Sequence, residues 1–129
     1  MFGRRRDGTL AEVAPYRRIM PFLMKGRNES AVYFEQQLDM SRAAPWIEAW
    51  NARTGQRATV FHLVLHAIAT VLHQGPRLNR FVIGRRIYDR KGVFLTFAAK
   101  KAMHDDAPLA TVKRRFEPGE SFAALVSAL

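Results

Sequence analysis

From Ala58 to Pro76 the chain carries no Lys, Arg, Asp or Glu over nineteen consecutive residues. A charge-free stretch of that length is either a span through lipid or the helix around which a soluble core is built. His62, His66, His73 and Gln74 lie within it, and all four are costly to place in hydrocarbon. The stretch therefore reads as a mostly buried helix that begins at Thr59 and stops at Gly75-Pro76. The remaining elements have to pack around it. With 129 residues and 48% hydrophobic composition the chain is a single domain that needs no disulfide or metal staple. The absence of cysteine excludes disulfide frameworks, thiolate metal sites and cysteine nucleophiles.

Residues 1–12 read as a flexible basic arm carrying Arg4, Arg5 and Arg6, and no apolar run follows that would make a signal peptide. Ala14 to Met24 is helical, with Ile19, Phe22 and Leu23 on one side and Pro21 weakening the middle. Glu29 to Met40 alternates, Val32 and Phe34 opposing Tyr33 and Glu35, and is expected as a strand. A helix follows with Ser41 as N-cap and Gly55 as its stop. Phe81–Ile83, Arg86–Tyr88 and Val93–Ala98 are short β-runs separated by turns, expected as a meander or hairpin pair. Leu109 to Phe116 is another alternating strand, and Phe122, Leu125, Val126 and Leu129 have the spacing of a final amphipathic helix. That helix stops on an apolar residue, so Leu125 and Leu129 are expected to need a partner and the domain reads as truncated. The fold class is α/β (α+β).

The formal charge of +10 attracts polyanions, whether nucleic acids, anionic lipids or phosphorylated cofactors, without choosing among them. The basic residues are spread over seven clusters at turns and element ends, which weighs against a nucleic-acid interface. His62 and His66 have the i, i+4 spacing of a metal pair but no third ligand in the segment, and the plainer reading is a polar stripe of Thr59, His62, His66, Thr70 and His73. His104-Asp105-Asp106 reads as a solvated loop. No GxSxG elbow, Walker loop or GxGxxG turn occurs. The residues themselves offer no catalytic residue and no metal site.

The helix from Thr59 running into Gly75-Pro76-Arg77-Leu78-Asn79, followed by the Phe81–Tyr88 hairpin, resembles a feature of one family. In the catalytic domains of 2-oxoacid dehydrogenase acyltransferases and of chloramphenicol acetyltransferase, a buried helix enters a similar turn before a hairpin. Tyr16 to Met20 and Ala31 to Asp39 resemble the opening helix and first long strand of that family, in the same order. The resemblance covers most of residues 14–129 and rests on order and spacing. It implies a chloramphenicol acetyltransferase-like mixed sheet flanked by helices and a coenzyme A thioester as co-substrate. It also implies a homo-oligomer, a trimer, with channels between subunits. By position, Phe97 resembles an aromatic residue lining the acceptor side of such a channel.

The family's general base is the histidine of an HxxxDG motif, and none of His62, His66, His73 or His104 begins one. The family's lysine-alanine step within the helix is His66-Ala67 here. The resemblance thus implies residues 13–129 as the N-terminal half of an acyl-transfer domain, inactive alone and completed by a C-terminal half. Two other readings stand beside it: a non-catalytic oligomerisation or binding relative, and a small basic nucleic-acid-binding protein. No membrane partner and a cytoplasmic setting are expected.

Overall fold

A computed structural model describes residues 5–100, 104 and 106–129. In chain order the elements are β1 (Gly8–Leu10), α1 (Pro15–Leu23), α2 (Ala43–Thr54), α3 (Val60–Gln74), a 3-10 turn (Pro76–Asn79), β2 (Arg80–Ile83), β3 (Arg86–Arg90), β4 (Val93–Lys100), β5 (Leu109–Phe116) and α4 (Phe122–Ser127). The class is mixed α and β, as expected. The strands form two small antiparallel sheets, β1-β3-β2 and β4-β5, rather than one mixed sheet.

Local chemistry accounts for the helix ends. Gly55 closes α2 in the left-handed region at φ 69°, its N–H donating to Asn51 O at 2.9 Å. Arg42 occupies the N-cap of α2, one residue beyond the expected Ser41. Ser41 instead donates its N–H and hydroxyl to the Asp39 carboxylate, which lowers the Asp39 pKa. The α2–α3 connection is clamped by Asn51, whose amide donates to Ala58 O at 2.9 Å and accepts from Ala58 N at 2.8 Å. Ser121 caps α4 by accepting the N–H of Ala124 at 3.2 Å.

The core lies where α2, α3 and α4 meet the inner face of β4–β5. Phe116 and Leu125 are the largest fully enclosed side chains, joined by Ile47, Trp50, Leu65, Ala69 and Val93. Leu125 is therefore covered within this chain, contrary to the expectation that it needs an external partner, whereas Leu129 stays exposed. The reason is that α4 turns its Leu125–Val126 side onto α3.

Three further expectations are corrected. Within the stretch read as a flexible arm, residues 8–10 form β1, because Gly8 can lie directly against β3; a methyl there would sit 2.8 Å from Asp89 O and from the Phe81 ring. Arg4 and the residues before it lie outside the described residues. Residues 31–40 are not a strand: they have no regular structure, and Val32, Tyr33 and Phe34 are 92%, 95% and 84% exposed. Alternation prepares a strand, but only a neighbouring strand can supply the ladder. The helix α3 is covered on one side only, since Val60, Val64, Ile68 and Val71 form an exposed stripe at helical spacing.

The described chain leaves 10734 Å² accessible to solvent. A monomer of 14.7 kDa that closed on itself would expose about 6,900 Å². Residues 22–39, every one of them exposed, contribute to that excess.

Candidate functional site

The polar stripe of α3 divides into two places. At the N-terminus, His62 and Thr59 form a capping box: His62 Nδ1 accepts the Thr59 N–H at 3.2 Å and lies 2.8 Å from the Thr59 hydroxyl. A nitrogen that accepts carries no proton, so the neutral ring has its hydrogen on Nε2. Burial pushes this imidazole below its ordinary pKa of 6.5.

A histidine with a depressed folded-state pKa contributes stability that is present above 6.5 and is lost as pH falls through the folded value. Thermal melts should therefore show α3 weakening on acidification below that point. His62→Ala should remove this component at a cost of about 1 kcal/mol, the usual worth of a helix cap. A variant whose melts are no less stable and equally pH-dependent would show that the box contributes nothing.

Further along α3, His66, Thr70, His73 and Gln74 face Phe116, Glu117 and Glu120 across a cleft of about 380 Å³. The spacing i, i+4, i+7, i+8 puts the four α3 side chains on one face. The chain after β5 reaches the same face because Pro118-Gly119 turns it, with Gly119 at φ 73°. His73 Nε2 donates to Phe116 O at 3.0 Å, which leaves its Nδ1 as the basic nitrogen. The His66 ring meets Phe122 edge-on at 5.7 Å. Glu120 is tied to Arg114 in a largely enclosed ion pair.

The i, i+4 histidine pair thus does not act together: His62 is engaged with Thr59 and His66 belongs to the cleft. Among the described residues no group of three His, Cys, Asp or Glu could hold a metal ion. The cleft has the groups to hydrogen-bond a small polar molecule, but no nucleophile paired with a base. That His66 and His73 line one cleft with Glu117 and Glu120 was not legible in the sequence; the polar stripe was its only local sign.

Phe97 lies half-buried on the inner face of β4, its ring edge-on to Phe61 at 5.0 Å and packed against the core. Phe61 is exposed, so the pair marks the place where the core reaches the surface beside the exposed side of α3. Phe97 is not among the residues lining the histidine cleft. Asn79, the end of the turn that carries the family resemblance, donates to Gly92 O at 3.0 Å and so ties α3's exit to the start of β4. His104 and Asp106 are exposed on a loop, and Asp105 lies outside the described residues.

No described helix is long and apolar enough to cross a membrane. Comparison of the chain with protein-family models, with curated proteins and with solved structures finds no match in any of the three.

Proposed function

We propose that the chain is part of a coenzyme A-dependent acyltransferase resembling the 2-oxoacid dehydrogenase acyltransferases and chloramphenicol acetyltransferase. On this reading it supplies scaffold and one wall of the substrate channel, with Phe97 on the acceptor side. The general base and the oxyanion donor come from residues other than these 129. The observation that carries the reading is the alternating, unpaired stretch 31–39 that follows α1 and the turn at residues 26–30. It has the pattern of a first long strand whose ladder partner is not among the described residues. The exposed Val60–Val71 stripe of α3 adds support, since a charge-free apolar face beside Phe61 and Phe97 is suited to a protein cover. That cover is a neighbouring subunit of a trimer or the C-terminal half of the domain. A cytoplasmic setting goes with this reading.

Acetyl transfer from acetyl-coenzyme A to a dithiol acceptor tests the proposal. The 129-residue chain alone is expected to show no transfer above background, while the assembly isolated after expression from its own gene is expected to transfer. In that assembly Phe97→Ala should raise KM for the acceptor more than it lowers kcat. Turnover by the isolated chain that His62→Ala or His104→Ala abolishes would overturn the division of labour. An assembly that never transfers would favour the non-catalytic reading, in which the same surfaces serve assembly alone.

A further inference from the structure

The basic residues, scattered in sequence, converge in space. Residues 5–27 and 77–91 build β1, α1, β2 and β3, and they hold twelve Lys and Arg against three acidic residues. Nearly all of the net charge of +10 therefore sits on one part of the molecule. Two of the three acids are already engaged, Asp7 with Arg5 at 2.8 Å and Asp89 with Arg80 at 2.6 Å.

On this part α1 presents its apolar side outward. Tyr16, Ile19 and Leu23 fall within an arc of about 60°, and Met20 at its edge lines the grooves towards β2 and β3. Tyr16, Ile19 and Leu23 are 66%, 53% and 64% exposed. The opposite side carries Arg18, which donates to Val13 O at 3.1 Å, and Pro21, the only residue of the helix that is half-buried. Grooves lined by Arg17, Arg18, Pro21 and Phe22 separate the helix from β3. The Arg85 guanidinium lies over the Phe22 ring at 5.4 Å and flanks the apolar arc.

Three occupants can be weighed against this combination. A second copy would cover the apolar arc but bring an equally positive surface against it. A nucleic acid would pair with the arginines and leave Tyr16, Ile19 and Leu23 against phosphate and water. An anionic bilayer satisfies both features, since acyl chains take the apolar arc while headgroups take the flanking cations. The exposed stripe of α3 differs on this point, because no charged residue lies in its segment.

We propose that α1 and the β1-β3-β2 sheet beneath it form a docking surface for anionic membranes, with the Tyr16–Ile19–Leu23 face entering the headgroup layer. The contact is peripheral and reversible and does not rest on the acyl-transfer reading. Co-sedimentation with vesicles of three parts phosphatidylcholine to one part phosphatidylglycerol tests it, beside vesicles of phosphatidylcholine alone. The chain is expected to sediment with the mixed vesicles and not with the neutral ones. Ile19→Ser with Leu23→Ser, both at exposed positions, should weaken partitioning by about tenfold or more with the circular dichroism unchanged. Arg17→Gln and Arg86→Gln should each weaken it by about fivefold. No binding to the mixed vesicles overturns the proposal. So does binding that is unaffected by the Ile19 and Leu23 substitutions, which would mark a surface for polyanions in general. A lipid-free dimer that the same two substitutions dissolve would assign the face to a second copy instead.

Discussion

Phe116→Ala is expected to lower stability by about 3–5 kcal/mol, the range for emptying a fully enclosed aromatic site. The ring is 1% exposed, packs at the end of β5 against α3 and α4, and lies under the Arg114 guanidinium at 4.8 Å. Its backbone carbonyl also receives His73 Nε2. Typical domains hold only about 5–15 kcal/mol in all, so a loss of this size is a large fraction of the total. Urea unfolding should show the midpoint falling by about 1–3 M, or no folded baseline at all. A loss below about 1 kcal/mol, the effect of an ordinary surface change, would show that Phe116 is not where the two layers join.

Glu120→Gln is the second large effect. Arg114 Nη2 donates to Glu120 Oε1, and the two side chains keep only 17% and 16% of their surface. Arg114 comes from the inner face of β5, opposite Leu95, so its charge has little access to water if the carboxylate is lost. Breaking such a pair from one side costs about 2–4 kcal/mol, because the remaining ion is left enclosed without its partner. Replacing both residues, Arg114→Met with Glu120→Leu, should recover most of that loss, since the desolvation cost disappears with the charges. The cycle closed by the single variants Arg114→Met and Glu120→Leu separates the pair from its surroundings. A single-variant cost of about 0–1 kcal/mol would place the pair among solvent-screened surface bridges.

Both substitutions border the cleft that His66 and His73 share with Glu117 and Glu120. The local conditions for it were visible in sequence: a helix from Thr59 to Gly75-Pro76, histidines on one face, and a strand ending at Phe116. Their meeting was not. That Phe116 faces His73, forty-three residues earlier, depends on β5 pairing with β4 from Val93↔Phe116 to Lys100↔Leu109. Alternation allows many such registers and selects none until a partner strand is present. The same limit explains why β3 pairs with β1 and β2 rather than with β4. It also explains why 31–40 has strand composition without a strand.

The sequence by itself determined the helices, their stops at Gly55 and Gly75, the β2–β3 hairpin and the absence of an HxxxDG base, because periodicity, caps and turns act over a few residues. Only the tertiary structure decided which side of α3 is covered, that Leu125 is enclosed, and that dispersed arginines gather around α1. Those outcomes depend on contacts between residues far apart in the chain, whose closure cost no local pattern records.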